Sequence, residues 1–245
     1  MIPPSPSLTS VPSGAPPAVA LDDVTKRYQS GADQVVAVNN VSLAIEKGEF
    51  CAIAGPSGSG KTTLLNLMGA LDQPDDGRIL VDGVDVTRLG HGARADVRLR
   101  KVGFIFQAYN LIPVLTALEN AEFVLLLQGV GAREREQRVR EVFRRIGLDG
   151  LESRRPHALS GGQQQRVAVA RAIVARPALV LADEPTANLD SHAGAALLDV
   201  MQQLNAQLGM TFVFSTHDPR VMERANRLID LQDGQVANDS GRRRA

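Results

Sequence analysis

With 245 residues, 44% hydrophobic and 22% charged, the chain has the balance of a globular protein able to bury a substantial core, as one large domain or two lobes. Its 27 basic and 27 acidic residues cancel, which removes any global attraction to nucleic acid or anionic lipid. The lone Cys51 excludes an internal disulfide and reads as strand core in a reducing compartment, and no apolar run approaches the ~20 residues that cross a bilayer.

Residues 1–17 are rich in proline and lack the basic start and apolar middle of a secretion signal, so they read as a disordered tail. Residues 19–28 and 35–45 alternate or run apolar, through Val19, Leu21, Val24 and then Val36, Val38, Val41, Leu43 and Ile45, which predicts antiparallel strands. Tyr28, just before the polar loop between them, fits either ordinary packing or a ring face offered to adenine.

Phe50–Ala54 is a short apolar run, expected as a buried strand. It feeds Gly55, Pro56, Ser57, Gly58, Ser59, Gly60, Lys61, Thr62 and Thr63, which together read as a phosphate-binding loop. The glycines let successive N–H groups point inward, and the helical spacing that follows adds the positive end of a helix dipole. In such a loop Lys61 reaches the β- and γ-phosphates and the Thr62 hydroxyl a Mg²⁺.

Beyond that helix, a turn at Asp75-Asp76-Gly77 precedes a strand at 78–81, and a polar segment runs to Arg100. Residues 102–106 read as a strand ending at Gln107. Thr116 and Glu119 have capping-box spacing before a strongly apolar helix, and Ala132–Ile146 reads as an amphipathic helix whose Glu/Arg pairs lie at i, i+4. Its arginines form a solvated face, not a nucleic-acid patch.

Leu159 to Gln163 leads into an Ala/Val-rich helix that Ser160 can N-cap, and with Gly161 and Gly162 this is a second candidate anion site at a helix start. The buried strand at 178–182 ends in Asp183-Glu184. Two adjacent carboxylates at an apolar strand end call for a metal–nucleotide site, with Asp183 on Mg²⁺ and Glu184 orienting or deprotonating a water. Asn188-Leu189-Asp190, a helix at 193–208, a strand at 211–215, His217 and a last strand at 227–231 follow, and the end of the chain is polar.

The phosphate loop, Gln107, Leu-Ser-Gly-Gly-Gln at 159–163, Asp183-Glu184, Asn188-Leu189-Asp190 and His217 occur in the order that resembles ATP-binding cassette ATPases. The likeness covers about 18–236, with a helical lobe near 108–158 inserted and a polar tail at 237–245. It implies an α/β fold with a mostly parallel P-loop core and an antiparallel β subdomain. Residues 66–72, 115–120 and 185–190 are similar to the lipoprotein-releasing and macrolide-export branch, although position 187, commonly Gly there, is Ala.

The resemblance implies further roles. Tyr28 stacks on adenine, Gln107 joins the γ-phosphate and Mg²⁺ to the helical lobe, and His217 contacts the γ-phosphate. Two copies pair head to tail, so that Ser160, Gly161, Gly162 and Gln163 of one close over ATP held by the other. A membrane permease is the implied partner, which places the chain peripherally at the cytoplasmic face of the inner membrane, with Tyr109, Leu111 and Ile112 expected at the docking groove. Because cargo is chosen by the partner, a mechanical or regulatory complex that moves no substrate stands as the alternative. A GTPase is excluded because no lysine follows an asparagine, and the interval from Lys61 to Ser160 is too short for the coiled coil of a DNA-repair ATPase.

Overall fold

The computed structural model describes residues 15–31 and 33–241, so the disordered tail expected at 1–17 falls outside the described residues except for 15–17. The chain opens with β1 (Val19–Ser30) and β2 (Asp33–Ile45), antiparallel, with Val19 opposite Ile45 and Tyr28 opposite Val35. The alternating apolar residues form this pair because one face is covered: Val19, Leu21, Val24, Val41, Leu43 and Ile45 are all buried. β3 (Phe50–Ala54), buried at every position, leads into α1 (Lys61–Met68). β4 (Asp76–Val81) and β5 (Val84–Asp85) complete a four-stranded sheet in the order β2-β1-β4-β5.

The polar segment before Arg100 is not a loop throughout. It contains α2 (His91–Lys101), which buries only Val97 and so shows almost no apolar periodicity. β6 (Val102–Ile105) follows. Next come α3 (Ala117–Leu127), started by the Thr116–Glu119 capping box, and α4 (Ala132–Ile146), whose exposed face carries the Glu134–Arg138, Glu136–Arg140 and Glu141–Arg145 pairs. After a 3-10 turn at Pro156–Ala158 come α5 (Gly161–Ile173), β7 (Leu179–Asp183), α6 (Ser191–Leu208) and β8 (Phe212–Thr216). The chain finishes with α7 (Pro219–Arg224), β9 (Arg227–Gln232) and β10 (Gln235–Asp239).

The second sheet has the order β10-β9-β3-β8-β7-β6, parallel throughout except for the β9–β10 hairpin. Strand alternation divides its core between two faces. Phe50, Phe212 and Phe214 meet on one side, Phe50 and Phe214 with ring centroids 4.7 Å apart, against α5, α6 and the helical lobe. Cys51, Ile53, Val213 and Leu181 face the other side, against α1 and the antiparallel sheet. Cys51 is fully buried strand core, and burial pushes its thiol well above the usual range.

The polar end departs from expectation. Residues 237–239, assigned by sequence to the tail at 237–245, belong to β10, because Arg227 ion-pairs with Asp239 at 2.6 Å and the Leu228 N–H donates to Ser240 Oγ at 2.9 Å. Residues 242–245 lie outside the described residues. In this topology the C-terminal ends of β3, β6, β7 and β8 share one edge, where ligands of parallel α/β sheets bind.

Candidate functional site

β3 runs directly into the loop at 55–60, which closes on α1. The N-cap of that helix is Gly60, with φ 100° and no side chain to satisfy the first turn. The free N–H groups and the helix dipole make the loop a cradle for an anion. Only glycine fits at position 60, where φ is left-handed and a Cβ would stand 2.1 Å from the Ala37 carbonyl oxygen. Lys61 is 9% exposed and its ammonium donates to the carbonyls of Gly55 (2.7 Å) and Pro56 (2.8 Å), across the inside of the loop.

β7 brings Asp183 to the loop, with its carboxylate oxygens 3.3 and 3.4 Å from Thr62 Oγ1. One hydroxyl and one carboxylate suit a Mg²⁺ held mainly by phosphate oxygens and water. Among the described residues no group of three or more His, Cys, Asp or Glu could cage a metal alone. Glu184, with φ 46°, donates its N–H to the Ser215 carbonyl at 2.9 Å. Its Oε1 lies 2.6 Å from His217 Nδ1, and its Oε2 accepts from the Thr216 hydroxyl at 3.3 Å. A carboxylate only accepts, so this contact assigns a proton to Nδ1.

These groups converge on one cleft of about 590 Å³ that gathers Ser57, Lys61, Thr62, Gln107, Glu184 and His217. Ser215 also lines it, and its buried hydroxyl has no protein partner. Gly55, Pro56 and Ser59 do not line this cleft: Ser59 is buried, and the carbonyls of Gly55 and Pro56 hold the Lys61 ammonium. Gly58, Gly60 and Thr63 face the cleft, as do Val35 to Ala37 of β2, which the sequence did not single out.

Ser160 to Gln163 lie elsewhere. Ser160 caps α5, its Oγ accepting from Gln163 N–H (3.3 Å) while Gln163 Oε1 accepts from Ser160 N–H (2.9 Å). This helix start opens on a second cleft of about 460 Å³, bordered by Asn188, Leu189 and Asp190. Tyr28 lines neither cleft. It stands beside Thr63, with its hydroxyl donating to Asp72 (2.7 Å) and the Lys26 ammonium 5.2 Å from its ring centre; burial and then the Asp72 carboxylate push its phenol up.

Leu111 packs against the core, Ile112 donates its N–H to Asn120 Oδ1, and the Tyr109 hydroxyl reaches the Asn188 carbonyl, while all three residues stay partly exposed. A neighbouring groove, about 350 Å³, is walled by Leu71, Leu99, Phe104, Phe106 and Val124, with Arg98 and Arg171 beside them. No carboxylate lines it. Arg98 donates to the Ala70 carbonyl (2.7 Å), and Arg171 to the carbonyls of Asn110 (2.6 Å) and Tyr109 (3.0 Å); burial lowers the pKa of both guanidinium groups.

A phosphate cradle with an adjoining hydroxyl–carboxylate pair, a Glu–His contact at the same strand ends and a second capped helix start together define a P-loop nucleoside triphosphatase of the cassette kind. Residues 38–187 match the family ABC transporter. The chain is 44% identical to the lipoprotein-releasing system ATP-binding protein LolD of Anaeromyxobacter dehalogenans, over 94% of this chain and 97% of that one. It is 45% identical to the macrolide export ATP-binding/permease protein MacB of Chromobacterium violaceum, where the match covers 94% of this chain but 35% of that protein. Among solved structures it resembles the dimeric ATP-binding cassette MJ0796 in a post-hydrolysis state with ADP and Pi, with TM-score 0.84 and 42% identity over 93% of this chain and 99% of that one. The chain belongs to the ABC transporter family and is an ATP-hydrolysing cassette.

Proposed function

We propose that the chain is the ATPase subunit of a transporter of the lipoprotein-release or macrolide-export type, two copies closing head to tail on two Mg²⁺-ATP and driving a membrane permease. The observation that carries this reading is the separation of the two anion-binding helix starts. The phosphate-loop cleft and the Ser160 cleft share no lining residue in one protomer. Each is half of a site, and a second copy in reversed orientation supplies the other half.

In that assembly Lys61 and the loop N–H groups, from Gly55 to Thr63, hold the β- and γ-phosphates, and Tyr28 stacks on the base. Thr62, Asp183 and Gln107 would hold the Mg²⁺, which when bound neutralises charge on the β- and γ-oxygens. Glu184 takes the proton of the attacking water, positioned by its contacts to His217 and Thr216. His217 then contacts the γ-phosphate through its other ring nitrogen. Ser160, Gly161, Gly162 and Gln163 of the second copy cover the triphosphate and exclude water.

The permease seat is the groove beside Phe104 and Phe106. Its apolar walls, with two guanidinium groups and no carboxylate, suit an apolar helix carrying an acidic residue. No helix among the described residues is long and apolar enough to cross a membrane. In this reading the permease holds the chain at the cytoplasmic face of the inner membrane.

Mixing two inactive variants tests the shared sites. Lys61→Ala weakens ATP binding in its own cleft, and Ser160→Arg spares binding but blocks the covering face. A heterodimer of the two keeps one intact site and one with both lesions, so activity is expected to return to as much as half the parental rate. No recovery on mixing, or equal loss of monomer ATP affinity in both variants, refutes the composite site.

A further inference from the structure

Between the two clefts lies a polar cluster that the reading so far leaves without a role. Asp218 follows His217 and N-caps α7. Its carboxylate accepts from the Thr186 hydroxyl (2.8 Å), the Arg220 N–H (2.9 Å) and the Arg220 guanidinium at both oxygens (2.7 to 3.1 Å). The Asp218 N–H donates to Thr216 Oγ1 (2.9 Å), the same hydroxyl that donates to Glu184. On this side the cluster therefore touches the carboxylate that faces ATP. Thr186, 1% exposed, stands two residues beyond Glu184 at the start of the loop leading to Asn188–Asp190.

On the other side, Arg220 donates to the Ser191 carbonyl in the first turn of α6 (3.2 Å) and is attracted by Asp190. It lies so close to Gly194 that a Cβ there would be 3.2 Å from its guanidinium. Asp190 borders the Ser160 cleft, as do His192 and Ala193. One carboxylate thus joins the segment carrying His217, Thr186 within the Glu184–Ala187 turn and, through one bidentate guanidinium, the start of α6.

We propose that Asp218, Arg220 and Thr186 form a clasp that makes the two clefts of one protomer respond together. ATP seated against Glu184 and His217 in a chain's own cleft then fixes the 187–194 segment that borders the cleft offered to the partner's ATP. Asp218 and Arg220 are positioning residues that touch no substrate. The fork geometry matters, since only a planar guanidinium grips both carboxylate oxygens while reaching a third acceptor. This inference rests on the reading of the clefts as halves of composite ATP sites.

The test is hydrogen exchange on the full chain in a Ser160→Arg background, which holds it monomeric so that any response is internal. Adding ATP is expected to slow exchange at 187–194 threefold or more, together with 57–63. Arg220→Ala and the near-isosteric Thr186→Val should lose the slowing at 187–194 but keep it at 57–63, while Thr186→Ser should retain both. In the Ser160-intact protein the same two variants should lower kcat tenfold or more and leave monomer ATP affinity within twofold. Equal slowing at 187–194 in Arg220→Ala, Thr186→Val and their background overturns the clasp, as does a background that responds only at 57–63. The composite-site reading is judged separately, by ATP-dependent dimer mass with Ser160 intact, so each can fail alone.

Discussion

Glu184→Gln separates chemistry from binding, because the amide keeps the shape of the carboxylate and loses its basicity. Removing a positioned general base lowers the rate by about 10² to 10⁴, or about 3 to 5.5 kcal/mol in the barrier. The effect on folding is far smaller. The amide oxygen can still accept from His217 Nδ1, where the carboxylate stands at 2.6 Å. The amide NH₂ then faces the Thr216 hydroxyl, which already accepts the Asp218 N–H and must take a second donor in place of giving its own proton. Weakening that one bond costs about 1 kcal/mol, a shift of about 2–4 °C in Tm for a chain of this size. The variant is therefore expected to hydrolyse ATP at least a hundredfold more slowly while melting within a few degrees of the parent. ATP should then persist between two copies, doubling the mass on a sizing column with ATP and not with ADP. Hydrolysis at the parental rate would refute the role of Glu184, and a doubled mass without nucleotide would refute ATP as the agent that joins the copies.

Two other perturbations address the flanks of the site. Asp218 is held at about 2 by the Arg220 guanidinium and, less strongly, by the Thr186 hydroxyl, against a burial effect of opposite sign. Its folded pKa lies below the unfolded value of about 3.9, so it adds on the order of 2 kcal/mol that is complete above that value and disappears as pH falls toward 2. Urea midpoints of the parent and Asp218→Asn should differ by a constant amount from pH 7 to 5 and converge toward pH 2; a gap unchanged at pH 2 would contradict the bond pattern. At the groove, Arg98→Glu places a carboxylate where a helix with an acidic residue would dock, and like charges there cost several kcal/mol. Co-sedimentation with permease-containing membranes should fall tenfold or more with ATP affinity unchanged, and parental co-sedimentation would move the seat elsewhere.

The motifs legible in the sequence are those whose residue type is forced by local physics. Gly60 must be glycine because of its φ and the Ala37 carbonyl, Thr116 and Ser160 announce helix starts by their capping partners, and the Asp183-Glu184 pair is conspicuous at an apolar strand end. α7 carried a usable signal in Asp218-Pro219, a capping residue before a proline at the first helical position. α2 carried almost none, since it buries a single valine. β10 is exposed at every position except Val236, which is half-buried, and its one signal is the turn at Asp233-Gly234; its backbone pairs with β9 and Arg227 grips Asp239.

Leu111 shows why the proposed docking surface is the neighbouring groove and not residues 109–112. An apolar residue directly after Gln107 can face a partner or its own core with the same sequence, and here the buried Asn120 decides. Its side chain accepts from the Ile112 N–H and donates to the carbonyls of Ile112 and Leu115, bending residues 111–115 back onto α3 and turning Leu111 inward. A buried amide without these partners would carry the penalty of unpaired polar groups, so the bend and the inward leucine are fixed together. The surface left for a partner is then set by Arg98 and Arg171, whose donors already satisfy backbone carbonyls and whose charge nothing in the groove neutralises. In the proposed assembly an acidic residue of the permease helix supplies that neutralisation.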